Sequence, residues 1–302
     1  MEVILKRKEP PLQLLIKSLI SYIEVSKPRS VFLLVFTSAV TMLIASREVA
    51  FPFILGVKAV VAITLACAGV NAVSCYIDRD LDAGMIRTRR RPIPSGRISP
   101  AVRALYWGLA HFLIALAIAY TVNLPAFFCI LLGMAGYVGI YSLWLKRKTA
   151  WNIILGGFSG GLPALFGWVA VTGEVSLLSL LVAFLVVLWI PNHIWNLAIY
   201  FKDDYRRVKV PMLPAVYSIR TTLLYILLTV ILMIAVSFLI YFYGNLGAVY
   251  LWTAVISGAV ILAGNIYLYF YYENKKAWIL YKLSSPYLFL LFLGMLFDRW
   301  RW

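Results

Sequence analysis

PFILGVKAVVAITLACAGVNAVSCYIDRDLD runs from Pro52 to Asp82. Up to Ile77 it is almost wholly apolar, with Lys58 its one charge. It is therefore long enough, as a helix, to cross the roughly 30 Å of hydrocarbon that about 20 residues span. Then three aspartates, Asp78, Asp80 and Asp82, follow in quick succession. A membrane span that ends in a burst of acid raises two questions: what architecture repeats such spans, and what the acid is for.

The apolar pattern recurs along the whole chain. Of 302 residues, 63% are hydrophobic and 13% charged, with a mean hydropathy of +0.89, far from the balance of a soluble domain. The expected fold class is an all-α integral membrane protein. Nine transmembrane helices are predicted near 28–46, 52–77, 101–120, 124–144, 151–171, 176–200, 219–243, 246–272 and 280–298. No separate polar domain or long linker interrupts them, so residues 1–302 read as a single membrane-embedded domain. Residues 1–27 form its N-terminal cytoplasmic or interfacial segment, because 11–27 look amphipathic. The opening MEVILKRKEP is basic but lacks an apolar stretch ending in small residues, so no cleavable signal peptide is expected.

Basic residues set the orientation, since cytoplasmic loops collect Lys and Arg. One side holds Lys6, Arg7, Lys8, Lys17, Lys27 and Arg29, the Arg-rich stretch after the second helix, Lys146 to Lys148, 202–220 and 275–282; the other keeps only Arg47, Lys58, Arg299 and Arg301. The N-terminus and the charged loops are thus expected to be cytoplasmic, with the C-terminus outside. The net charge of +16 invites a nucleic-acid reading, but no nucleic-acid fold accompanies it. Attraction to anionic membrane lipids accounts for much of the excess. Cys67, Cys75 and Cys129 have no metal-type spacing and fall within predicted helices, which favours a structural role.

Among only twelve acidic residues, Asp78, Asp80, Asp82, Asp203 and Asp204 concentrate in two loops on the cytoplasmic side. If the second helix continues through the motif, Asp78 and Asp82 share a face with Ser74 and Asn71, and Asp80 points away. Two carboxylates on one face repel unless a cation lies between them, and hard oxygen donors with open positions suit Mg2+ bound to phosphate. Asp203 and Asp204 offer a second carboxylate group, and nearby Arg and Lys suit the diphosphate oxygens that a metal leaves free. Each loop alone also reads as an ordinary interfacial charge pair. Together they point to an enzyme for a lipid diphosphate, whose departing pyrophosphate needs stabilising charge. Tyrosine faces, such as those of Tyr76 and Tyr141, suit a residual allylic cation; any single Tyr also reads as packing or an interface anchor.

At these residues the chain resembles the UbiA superfamily of intramembrane prenyltransferases, and within it the heme-farnesylating branch. YIDRDLDAGMIRTRRRPIPSGRISP from Tyr76 resembles the first aspartate motif of that branch, and WIPNHIWNLAIYFKDDYRRVKVPMLP from Trp189 the second. KPRSVFLLVFT from Lys27 resembles its first helix, and YSLWLKRKTAWNIILGGFSGGLPALFGWVAVTGE from Tyr141 its fourth loop and fifth helix. The likeness covers roughly residues 27–215; the last three helices match only in being apolar.

The resemblance implies a nine-helix bundle with a central cavity opening to the cytoplasmic side. It also implies transfer of a farnesyl group from farnesyl diphosphate to protoheme IX, with Mg2+. On that basis Asp78, Asp82, Asp203 and Asp204 would hold the metal and diphosphate, with Lys146 and Tyr141 beside them as catalytic candidates. Arg87, Arg90, Arg91 and Arg147 would contact phosphate or a heme propionate. Asn71, Ser74, Lys27, Arg29, Asn196 and Lys202 complete the substrate-binding candidates, and His193 would face the heme.

The chain departs from the family pattern at several of these places. Ser74 stands where Asn is usual, Asn192 and Asn196 introduce polar groups beside His193, and Lys209 replaces a customary Gly. Most of these changes lie on the acceptor side. Two other readings therefore stay open: a UbiA relative with an aromatic quinone precursor or glyceryl phosphate lipid as acceptor, and a transporter or heme-handling protein without catalysis. Against the latter, no internal repeat is evident and the charges sit at one surface rather than at midplane. His111 and the glycines at 156, 157, 160 and 161 read as structural, the glycines as sites of close helix approach.

Overall fold

The computed structural model describes residues 10–47, 49 and 52–300. Lys6, Arg7, Lys8 and Arg301, which entered the orientation argument, lie outside them. The described residues form helices joined by turns and loops, with no strand among them. Helix α1 (Pro11–Val25) is followed by α2 (Pro28–Ala45), α3 (Phe53–Ile77), the short α4 (Arg79–Gly84), α5 (Val102–Val122) and α6 (Leu124–Met134). A π-helical stretch, Ala135–Leu145, continues α6. Then come α7 (Asn152–Gly156), α8 (Phe158–Thr172), α9 (Leu177–Tyr200), α10 (Lys202–Arg207), α11 (Leu213–Val216), α12 (Ile219–Tyr243), α13 (Ala248–Phe270) and α14 (Asn274–Trp300).

Nine helical spans among the described residues are long and apolar enough to cross a membrane, which makes this an integral multi-pass membrane protein. Successive spans pack against one another, and α14 returns to touch α2, so the bundle closes in a ring. Phe36 and Phe289, stacked at 4.4 Å, line that closure. The tightest pairing joins α3 to α5. A Cβ on Gly69 would lie 2.6 Å from the Gly108 carbonyl, and one on Gly108 would lie 2.7 Å from that of Gly69, so only glycine lets these backbones meet.

Helix ends follow local chemistry. The chain turns between α5 and α6 at Asn123, whose Oδ1 accepts from the Ala126 amide while its Nδ2 donates to Val169 O at 2.8 Å, tying the turn to α8. Ser176 and Ser179 close a capping box at the start of α9. Asp78 sits at the junction of α3 and α4.

Three features differ from the sequence expectation. The span expected over 151–171 breaks at Gly157 into α7 and α8. The second half of the span expected over 124–144 widens into the π-form, with the Lys146 amide reaching back five residues to Tyr141 O at 2.8 Å; such geometry is rare and clusters at functional sites. The last helix begins at Asn274 rather than near 280. Its lysine-bearing first turns extend beyond the apolar run that hydropathy detects.

Helix α1 is too short to cross a bilayer. It leaves Leu12, Leu15, Ile16, Leu19 and Ile23 exposed and is tied down at its end, where Glu24 receives Arg97 Nη1 at 2.5 Å and Nη2 at 2.9 Å. Cys67, Cys75 and Cys129 are buried and free. His111 Nδ1 is satisfied by Trp107 O at 2.8 Å.

Candidate active site

The first acidic motif is built by helix continuity across a cap. α3 ends at Ile77, yet the Asp82 amide donates to Asp78 O at 2.8 Å, so the two carboxylates fall one turn apart. Both are buried, with 4% and 5% exposure, whereas the Asp80 side chain is 59% exposed. A fork from Arg147 holds Asp80 outside, both bonds 2.8 Å long. That hydrogen bonding lowers the Asp80 pKa below its ordinary value.

Each inward carboxylate is met by a cation. Lys146 Nζ lies 2.5 Å from Asp78 Oδ2, with Ser74 Oγ 3.4 Å from the same oxygen and Ser142 Oγ 3.5 Å beyond Ser74. Asp78 Oδ1 is buried with no hydrogen-bond partner. Arg91 Nη1 reaches both oxygens of Asp82, at 3.0 and 2.8 Å. Burial pulls the Lys146 pKa down, but the Asp78 carboxylate more than reverses this and leaves it raised. For Arg91 burial likewise lowers and Asp82 raises, with a net rise. Lys27, half-buried in the left-handed conformation at φ 54, lies within electrostatic reach of both Arg91 and Lys146. Three cations thus crowd two acids, leaving the pocket's balance positive.

The second motif arrives from α9. After Tyr200 the chain passes through Phe201 into α10, which buries Asp204 and Tyr205 and leaves the Asp203 side chain 77% exposed beside Arg206. Asp204 Oδ2 accepts from the Arg87 amide at 3.1 Å and Oδ1 from Arg207 Nη1 at 3.1 Å. The Arg87 bond joins the loop of the first motif directly to the second. Between them stands Tyr141, whose ring lies 5.8 Å beneath Lys146 Nζ and 5.5 Å from that of Tyr137; Tyr205, Asp78 and Arg87 are its charged or polar neighbours.

Of the residues singled out from the sequence, Asp78, Asp82, Asp204, Lys27, Arg87, Arg91, Lys146, Ser74 and Tyr141 are drawn to this cluster. Asn71, one turn deeper, is buried and donates to Cys67 O at 2.9 Å. Arg147 caps the outside through Asp80. Asp203, Arg29 and Arg90 are exposed, and Lys202 is half-buried at the start of α10. His193 and Asn196 sit deeper on α9. Asn196 is buried, donating to Asn192 O at 2.8 Å and Asn265 Oδ1 at 3.4 Å. His193 bonds Ser284 Oγ through Nδ1 at 2.6 Å. Sequence reasoning missed Tyr137, Ser142 and Tyr205; the first two hid in the unexpected π-stretch, and Tyr205 was one tyrosine among 19.

Among the described residues, no three or more His, Cys, Asp or Glu side chains converge into a self-sufficient metal site. What stands here instead is a pair of oxygen-donor groups, with the orphaned Asp78 Oδ1 among them, interleaved with fixed cations. That donor set fits a hard divalent cation that brings phosphate oxygens as its remaining ligands.

A membrane bundle that holds two acidic motifs and a ring of cations at one end defines an intramembrane prenyltransferase. Residues 33–293 match the UbiA prenyltransferase family, and the chain belongs to it. The match extends through the last three helices, beyond the span from 27 to 215 where motifs alone carried the likeness. The chain is 58% identical, over 280 residues covering 93% of its length and 88% of the relative's, to the protoheme IX farnesyltransferase of Desulforudis audaxviator. Among solved structures it is similar to a digeranylgeranylglyceryl phosphate synthase, with a TM-score of 0.77 at 18% identity over 93% of this chain and 98% of that one. It is also similar to a UbiA homolog from Archaeoglobus fulgidus bound to GPP and Mg2+, with a TM-score of 0.63 at 14% identity over 91% and 99% of the two chains. At those identities the two structures speak for the fold alone.

Proposed function

We propose that this enzyme transfers a farnesyl group from farnesyl diphosphate to a vinyl group of protoheme IX, giving heme O and pyrophosphate. The 58% identity, over nearly the full length of both chains, to a relative named for this reaction carries the reading. It selects protoheme over the quinone-precursor and glyceryl phosphate acceptors.

The diphosphate would lie between the two acidic motifs. Asp78, Asp82 and Asp204 are the residues to hold Mg2+ there, with Asp203 at the outer edge. When bound, the metal supplies positive charge to the oxygens of the departing pyrophosphate. Lys146, Arg91 and Lys27 supply fixed charge to the same group as the bond from farnesyl C1 to oxygen breaks, and being positioned beforehand they need little reorganisation. Arg147 and Arg87 stand at the rim, with Arg29, Arg90 and Lys202 further out on the approach. Ser74, with Ser142 behind it, orients Asp78. The Tyr141 ring, with Tyr137 and Tyr205 around it, offers a π-face to the allylic cation. C1 then bonds to the terminal vinyl carbon, water adds to the adjacent carbon, and one proton leaves.

Residues 1–302 act as one membrane-embedded catalytic unit, with 1–27 read as its cytoplasmic or interfacial segment, of which 1–9 lie outside the described residues. The Lys and Arg surplus supports a cytoplasmic N-terminus and site, a cavity opening to that side, and a C-terminus outside. The test is to incubate purified protein with Mg2+, farnesyl diphosphate and protoheme, following pyrophosphate and heme mass. A farnesylated heme supports the reading; pyrophosphate release without a heme adduct would redirect it to another acceptor.

A further inference from the structure

His193 lies in a membrane span, on the seam where α9 packs against α14. Its Nδ1 is 2.6 Å from Ser284 Oγ. The Ser284 hydroxyl has one proton, and it goes to Tyr281 O at 2.7 Å, a turn earlier on α14. Ser284 Oγ therefore accepts from the imidazole, and Nδ1 is the nitrogen that carries hydrogen. In the uncharged ring this puts the free lone pair on Nε2. No hydrogen bond to Nε2 is seen among the described residues, and His193 as a whole is half-buried. The ring cannot readily turn. Trp189 stacks on it at 4.4 Å and Tyr281 at 4.5 Å, and Trp189 Nε1 donates to Ser284 O at 2.7 Å, so the serine is fixed as well.

An imidazole of set tautomer and set plane, with an unshared lone pair inside a bilayer, is costly to keep unless it serves a ligand. Histidines that bind metals characteristically donate their other N–H to a fixed acceptor, which orients the ring and raises its basicity. We propose that His193 Nε2 is an axial ligand to the iron of the porphyrin substrate, and that Ser284 is the positioning residue that sets its tautomer. This rests on protoheme being the acceptor.

The surroundings suit a flat, oily macrocycle. From Tyr281 the ring contacts continue to Trp278, stacked at 4.9 Å, and on to Phe201, edge-on at 5.8 Å. The Arg87 guanidinium sits 5.5 Å over the Phe201 ring, and the Arg87 amide bonds Asp204. An unbroken aromatic rim thus leads from the acidic site to the histidine edge.

The experiment is a titration of the full-length protein, in nanodiscs and without prenyl donor, with ferric and ferrous protoheme and with iron-free protoporphyrin IX. Wild type should show a histidine-ligated Soret spectrum with protoheme. His193→Ala should lose that spectrum and bind protoheme about 10-fold or more weakly, regain the spectrum with added imidazole, and bind the iron-free porphyrin as wild type does. Ser284→Ala should keep the ligand but shift the iron–histidine stretching frequency in resonance Raman. An unchanged protoheme spectrum and affinity in His193→Ala would overturn the ligand assignment while leaving farnesyl transfer standing. A Ser284→Ala variant with an unshifted stretch would overturn the role of the serine. Wild type that neither binds nor farnesylates protoheme would overturn the acceptor reading itself.

Discussion

Lys146 Nζ sits 2.5 Å from one oxygen of Asp78, and the other oxygen of that carboxylate is buried without a partner. The geometry gives this aspartate, and its neighbour Asp82, a different standing from Asp80, whose side chain is exposed and paired with Arg147. Replacing each by asparagine keeps shape and removes charge. Asp78→Asn and Asp82→Asn should lower pyrophosphate release about 100-fold or more, while Asp80→Asn stays within a few-fold of wild type. Equal losses at all three positions would mean that the inward face has no special part.

The same pair sets a pH expectation. The Lys146 pKa is raised above its ordinary 10.5, so the lysine stays charged through neutrality. Its bond to Asp78 contributes stability fully below the unfolded value, and this is lost only as pH rises through the folded one. Between about pH 7 and 9, kcat/KM should therefore show no limb that belongs to Lys146. A limb in that window that vanishes in Lys146→Arg, whose guanidinium does not titrate there, would refute this.

Lys209 has φ 54 and is exposed just after α10. The left-handed region costs a non-glycine residue roughly 1–2 kcal/mol, against roughly 0.5–1 kcal/mol of extra chain entropy that glycine loses on folding. Lys209→Gly should therefore stabilise the protein by about 0.5–1 kcal/mol, read as a higher midpoint of thermal unfolding in detergent. A lower midpoint would show that the lysine side chain makes up for its backbone.

At the α3–α5 crossing the obstacle to any side chain is backbone, which has no rotamer to give way. Gly108→Ala puts its Cβ 2.7 Å from Gly69 O and 2.9 Å from the Val73 amide. The helices must part, and the yield of folded protein should fall along with its thermal midpoint. An alanine variant as stable as wild type would show that the crossing is loosely packed.

Much of the architecture was legible because hydropathy measures what a membrane span requires. The positions of α2, α3, α9 and α12 were read within a residue or so. The turn at Asn123 and the inward pairing of Asp78 with Asp82 followed from spacing. What escaped was whatever hydropathy does not encode. The π-stretch is as apolar as a regular helix, so nothing in 135–145 marks the change of pitch that brings Tyr137 and Ser142 to the cluster. The break at Gly157 lies in a run of glycines that suits close packing equally well. Ser284 carried no motif; only the fold brings it to His193. Asp203 and Asp204 are adjacent in sequence, and only the direction of α10 separates an exposed side chain from a buried one.

The connection between α4 and α5 is fastened by the Arg87 amide to Asp204, by Arg91 to Asp82 and by Arg97 to Glu24 on α1, with Arg97 also bracing the Arg90 carbonyl at 2.8 Å. The short helix proposed to lie along the bilayer surface and a carboxylate of the acidic cluster are thereby the two ends of one lever. The outer link, Arg97 to Glu24, has side chains 40% and 42% exposed, whereas Asp82 at the inner link is buried, so salt at the membrane surface loosens the first well before the second.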